Sequence, residues 1–320
     1  MAGALRFCEN VLGAGVARGT PLLFASLGEV FAERAGVLNL GVEGMMLLGA
    51  VAGFGVAHHA GSAVLGLVAA MAAAALLALV HAVVVVSLAG DQVVSGLGLG
   101  FFGSGLASVL GADLVGRGGV ARLPSFEVAS LSSLPLLGPA LFAQNVIVYV
   151  GFAAIAAAWL YLYRTRFGLR LRAVGESPAA ADALGISVAQ VRYGHVALGG
   201  ALAGLAGASL SLGITPWWVD GMTAGQGWIA VGLVIFAGWD PLRAAAGSYL
   251  FGAIRRLPLD LQGVESLPLF RNPNLGYFLD MLPYLFTIAV LVAVGRARLR
   301  HRLGPPSALG LPFVRGERGK

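Results

Sequence analysis

The chain is built of long apolar blocks that follow neither a 3.6-residue nor a two-residue period. The clearest runs from Ser62 to Leu88, and within it only His81 interrupts the apolar character. Such blocks match the roughly 17–25 residues a helix needs to cross about 30 Å of hydrocarbon. Others lie near residues 11–31, 40–58, 92–112, 142–163, 192–214, 226–240, 241–256 and 277–296. The two around 226–256 meet at Gly238-Trp239-Asp240-Pro241, a turn signal that predicts a hairpin of two shorter helices. Composition agrees, with 58% hydrophobic and 11% charged residues, where a soluble domain carries about 25% charged. The 48 glycines suit helices that approach one another closely. The expected fold is an all-α polytopic membrane protein, a bundle of about 8–10 transmembrane helices. Residues 1–320 read as one transmembrane domain, with no soluble appendage and no clear internal repeat.

Charge suggests orientation. The net charge is +6, and the arginines concentrate in two stretches. One, about 164–191 and its edge, holds Arg164, Arg166, Arg170, Arg172 and Arg192; the other, about 296–320, holds Arg296, Arg298, Arg300, Arg302, Arg315, Arg318 and Lys320. Positive loops face the cytoplasm, so both stretches and the C-terminus are expected there, in a multi-pass protein of the bacterial inner membrane. The loops 113–141 and 257–276 then fall outside, although Arg255 and Arg256 sit awkwardly at an outer helix end. This charge pattern reads as topology against lipid, not as a nucleic-acid patch. Counting crossings puts the N-terminus outside, but Arg18 and Pro21 suggest a break in the first span. No cleavable signal pattern is visible, and the lone Cys8 excludes an internal disulfide or a cysteine metal site.

Motifs exclude several chemistries. Gly98-Leu99-Gly100-Phe101-Phe102-Gly103 spells the dinucleotide fingerprint, but it lies inside an apolar helix and lacks the required strand. Gly96 with Gly100, Gly49 with Gly53, and Gly200 with Gly204 instead have the spacing of close helix packing. A P-loop needs a lysine, and the only one is the last residue, Lys320. ATP hydrolysis, if it drives this chain, belongs to another subunit. His58-His59 reads as a membrane-edge pair rather than a metal site, and no catalytic constellation stands out, so the chain is not expected to be an enzyme.

Polar residues inside apolar blocks are more telling, because a charge at mid-membrane costs about 3 kcal/mol and normally faces a bundle interior or water. Asn39 and Glu43 begin one span, and Gln92 and Ser95, after Asp91, begin another; all four are candidates for a translocation pathway. The competing reading pairs Glu29 and Glu43 with Arg18 or Arg34 and leaves Glu33 and Arg34 interfacial. Within the basic loop, Ser177 to Gly185 reads as a short helix with Ser177 as N-cap, Pro178 at the first turn and Gly185 just past the end. It is either a docking element or an ordinary surface helix. Trp217, Trp218 and Trp228 read as interfacial anchors, with stacking on a solute as the alternative.

The run from Leu27-Gly28-Glu29 through Asn39-Leu40-Gly41-Val42-Glu43-Gly44 to Gly49-Ala50 resembles the opening of ABC importer permeases of the branched-chain amino acid/ribose superfamily, closest to the nucleoside-uptake branch. Three segments extend the resemblance over most of the chain: Asp91-Gln92-Val93-Val94-Ser95-Gly96, Thr165 through Glu176 into the helix ending at Gly185, and Met281-Leu282-Pro283-Tyr284-Leu285. The resemblance implies a permease subunit of an ATP-binding-cassette importer. Its partners would be a cytoplasmic ABC ATPase that binds the ATP, a second, homologous permease and an extracytoplasmic substrate-binding lipoprotein. No cofactor is implied on this chain. Glu176, Ser177, Pro178, Ala180, Asp182 and Gly185 would form the ATPase-coupling loop. The implied solute is a nucleoside; the alternatives are a simple sugar, riboflavin or another small ring compound, or, in a different class, a self-contained secondary transporter.

Overall fold

The computed structural model describes residues 2–118, 121–128, 130–262 and 304–315, with isolated positions between 278 and 292. The chain opens with a long helix, α1 (Ala2–Arg34). Pro21 does not break it, contrary to expectation. A proline removes one helical N–H, here leaving the Ala17 carbonyl without its usual donor, but membrane bundles tolerate this inside a helix, and α10 packs directly on this stretch, with Gly19 against Ser248 and Tyr249. A non-helical stretch, 35–41, leads into α2 (Val42–Ala60). Next come α3 (Ala63–Ala82), which a π turn prolongs to Ser87, and α4 (Gln92–Gly111). Ser62 and Asp91 cap these two helices by accepting from Leu65 N and Val94 N.

The connection from α4 to α5 carries a small antiparallel ribbon, β1 (Ser125–Glu127) paired with β2 (Ala143–Asn145), which the apolar pattern gave no reason to expect. α5 (Val146–Arg164) then leads into two short helices, α6 (Arg166–Glu176) and α7 (Pro178–Ala183). α8 (Val188–Ala208) follows and runs through a π turn to Ile214. Last come α9 (Gln226–Ala237) and α10 (Pro241–Gln262). They form the expected hairpin, but α10 runs on through residues 257–262, which the sequence had assigned to an outer loop. The rest of that loop and most of the block 277–296 lie outside the described residues.

Among the described residues five helices are long and apolar enough to cross a membrane: Phe7–Arg34, Ala63–Ser87, Gln92–Leu114, Val146–Arg164 and Val188–Ile214. The protein is an all-α, multi-pass membrane protein. α1 packs on α10 and α8, while α2 is enclosed by α3, α8 and α4. With lipid outside, no hydrophobic gain drives this packing, so small residues that let backbones touch must supply it. At the α2–α8 crossing a Cβ on Gly49 would fall 2.5 Å from Gly204 Cα. α3 and α4 turn Val64, Val68, Leu76, Phe101, Phe102 and Val109 outward.

Candidate functional site

Glu43 sits in the first turn of α2, almost wholly buried. Its carboxylate meets no arginine among the described residues. Oε1 accepts from Thr223 Oγ1 at 2.5 Å and from Gly225 N at 2.9 Å, and Oε2 accepts from Gly227 N at 2.7 Å. These donors are the mouth of α9. A helix N-terminus presents free N–H groups and a positive dipole end, so the carboxylate closes that end much as a bound anion would. The fit demands glycine at 227, where a Cβ would lie 2.5 Å from the Glu43 backbone.

The other three candidates meet one turn away, around the α1–α2 break. Leu38 N donates to Gln92 Oε1 at 2.7 Å, and Gly41 N donates to Asn39 Oδ1 at 3.0 Å. His81 bridges the Leu38 carbonyl (3.1 Å) and Ser95 Oγ (2.9 Å). Asn39 and Gln92 are buried and Ser95 is half-buried. Irregular backbone inside a membrane protein has to find its partners within the protein, and this knot supplies them. His81 completes it, and the sequence had shown it only as an interruption in an apolar run.

A second clamp holds the turn between α9 and α10. Arg34 donates from Nε to the Trp239 carbonyl (3.2 Å) and from Nη2 to the Gly238 carbonyl (3.4 Å), and the Trp239 indole N–H donates to Glu33 Oε2. The interfacial reading therefore fails for Glu33, which is wholly buried. The proposed pairing of Glu29 or Glu43 with Arg34 gives way to these carbonyl contacts.

At the same end of the bundle, α6, α7 and the start of α8 form an elbow. Ser177 Oγ accepts from Ala180 N (3.4 Å), Pro178 occupies the first turn, and Gly185 takes a left-handed φ of 79°. Between them Leu184 stands 82% exposed. The C-terminal segment 304–315 straps this elbow from below, a contact absent from the sequence reading. Ser307 donates to Glu176 Oε2 from Oγ (2.9 Å) and N (3.3 Å), Ala308 N donates to the Gly175 carbonyl (2.9 Å), and Arg315 pairs with Asp182 at 3.1 Å. Buried Arg192 ties strap and core together, donating to the carbonyls of Leu311 (3.3 Å) and Ala35 (3.2 Å). Asp182, Gly185, Ile186, Val188, Arg192 and Phe313 line a cleft of about 330 Å³ beside α7.

The three tryptophans separate. Trp218 is buried at 1% exposure, while Trp217 and Trp228 are 51% and 39% exposed. Surface anchoring thus fails for Trp218. His58 stacks on Phe54, with ring centroids 6.2 Å apart.

The chain is 43% identical to a putative glucose ABC transporter permease, TsgC13, of Haloferax volcanii, over 95% of this chain and 97% of that protein. It is 35% identical to the guanosine ABC transporter permease NupQ of Bacillus subtilis and 37% identical to the nucleoside ABC transporter permease NupC of Lactococcus lactis, each over 93% of this chain and 94% of the relative. No solved structure matches. Residues 11–294 match the family described as branched-chain amino acid transport system / permease component, and the chain belongs to that family.

Proposed function

We propose that this ABC transporter permease carries nucleosides into the cell, coupled to ATP hydrolysis through the α6–α7 elbow. The observation that carries the coupling role is the elbow itself: a capped, strapped and outward-facing helix whose exposed Leu184 adjoins a cleft at the most basic end of the bundle. That end is the cytoplasmic one in this reading, because Arg164, Arg166, Arg170 and Arg172 gather there with the strap. The partner on the elbow is the ABC ATPase, which binds the ATP. A second, homologous permease completes the pathway, and a substrate-binding lipoprotein delivers solute at the opposite end. Residues 1–320 act as one transmembrane unit. Asn39, Glu43, Gln92 and Ser95 shape the helices beside the pathway: they fix the α1–α2 break and the mouth of α9, the two places where a rocking motion would be absorbed.

Nucleoside as solute is supported by the relatives named for guanosine and nucleoside transport. The relative named for glucose favours a second reading, a simple sugar. Both share a ring bearing vicinal hydroxyls. ATP hydrolysis by the reconstituted complex, with the cognate binding protein loaded in turn with guanosine, adenosine and glucose, tests the reading. Stimulation by the nucleosides is expected. Stimulation by glucose alone replaces the solute, and ATP-independent uptake overturns the import assignment.

A further inference from the structure

Between α8 and α9 the chain passes through part of the membrane span without forming a helix. Residues 215–225 and the first turn of α9 descend alongside α4, and the contacts of both give the depth. Trp218 packs against Gly111, Asp220 Oδ1 accepts from Ser108 Oγ at 2.7 Å, and Trp228 lies 4.0 Å from where a Cβ on Gly100 would stand. From Gly111 to Gly100 is about 16 Å along a helix axis, all within the span Gln92–Leu114. The segment closes short turns from Met222 N to the Val219 carbonyl and from Ala224 N to the Gly221 carbonyl. Gly221, Ala224 and Gly225 take left-handed φ values of 67°, 47° and 79°. That conformation is strained for Ala224, whose Cβ crowds the following carbonyl.

This irregular segment is not hidden. Trp217, Val219, Asp220, Gly221 and Ala224 are exposed, and Trp228 flanks them on the first turn of α9. Irregular backbone at membrane depth does not face lipid; it is buried in protein or lines water. A carboxylate at that depth follows the same rule. Ser108 fixes the orientation of Asp220, its one hydroxyl proton lying between that carboxylate (2.7 Å) and the Ser104 carbonyl (3.1 Å), so the strip has a polar floor on α4.

We propose that residues 215–225, with Ser104 and Ser108, line the aqueous solute path, and that Asp220 accepts hydroxyls of a sugar ring whose apolar face slides over Trp217 and Trp228. A carboxylate accepts from vicinal hydroxyls through both oxygens, and indole faces suit the C–H side of a ring. The identity of the solute rests on the import reading above; the water lining does not.

The test uses the assembled complex carrying Cys8→Ala, with Asp220→Cys, Ala224→Cys or the outward-facing control Phe101→Cys, and a charged, membrane-impermeant thiosulfonate reagent. Such reagents attack thiolate, which forms where water reaches the sulfur. Reaction at 220 and 224 well above the control is expected, slowed at 220 when guanosine- or glucose-loaded binding protein is present. Reaction no faster than at Phe101→Cys overturns the strip, and shows that a second permease seals it. Separately, Asp220→Asn should lower uptake about tenfold while binding-protein-stimulated ATP hydrolysis persists. Unchanged uptake overturns the solute contact even if labelling stands. If the cysteine variants label at these positions but the parent complex takes up neither solute with ATP, the import reading is refuted and the water-lined strip stands.

Discussion

Glu43 is held by the mouth of α9 and not by an arginine. A glutamate in an apolar span needs a cation, water or donors, and the sequence offered arginines. The donors turn out to be a hydroxyl and two backbone amides lying about 180 residues away in sequence, which no local pattern discloses. The consequence is specific. Glu43→Ala leaves three donors unpaired in a buried place, at about 1–3 kcal/mol each before relaxation, so a drop of about 3 kcal/mol in stability is expected. Glu43→Gln keeps one good acceptor but turns an amide toward an N–H, and should lose roughly half as much. Thermal unfolding of the detergent-solubilised complex gives both values; equal stability of Glu43→Ala and the parent would refute the clamp. Gly185 is a second residue whose role is conformational. A Cβ there meets nothing within 4 Å, yet φ is 79°. Gly185→Val should therefore strain the backbone by about 1–3 kcal/mol and uncouple ATP hydrolysis from uptake. Gly185→Asn, which tolerates this conformation, should retain most coupling. If the two variants behave alike in paired ATPase and uptake assays, the left-handed cap is not what couples them.

At the scale of elements, apolar blocks located the helices well, because length and composition alone decide what can cross a bilayer. The cap of α7 was legible residue by residue, since Ser177, Pro178 and Gly185 each carry a local backbone preference. Pro21 misled, because its effect depends on what surrounds it: α10 packs closely against that stretch of α1, with Gly19 against Ser248 and Tyr249. The strap 304–315 was invisible for a different reason. Its one arginine, Arg315, looked like part of the basic topology signal, and only the folded chain brings Ser307 to Glu176 and Arg315 to Asp182. The 215–225 strip likewise fell between two predicted blocks and read as an ordinary connection. The strap carries its own prediction. Exposed ion pairs contribute little alone, about 0.2–1 kcal/mol, so Arg315→Ala should leave coupling nearly intact. Removing residues 304–320 also takes away the Ala308–Gly175 backbone bond, the Leu311 carbonyl that Arg192 uses and the Phe313 contact. That truncation should release α7 and markedly reduce the amount of ATPase that co-purifies with the permease. Full co-purification would mean that the elbow holds its shape without the strap.

For the whole molecule, the two ends of the bundle differ in chemistry, and that difference predicts sidedness. The end with α6, α7 and the strap gathers Arg164, Arg166, Arg170, Arg172 and Arg315, while the opposite end presents His59, Asp113 and Arg117 around a shallow cleft of about 390 Å³ between α2 and α4. Lys and Arg near helix ends are retained on the cytoplasmic side, and a coupling elbow is useful only where ATP is present. Exposed positions at the two ends are available for labelling: Ser307 on the strap and Arg117 beyond α4. In a Cys8→Ala background, Arg117→Cys should react with an impermeant maleimide added to intact cells, and Ser307→Cys only after permeabilisation. The reverse pattern would place the elbow outside, away from any ATPase. The import mechanism would then fail as a whole, however well its individual contacts were measured, because alternating access driven by ATP needs the strapped elbow and the solute-delivery end to face opposite compartments.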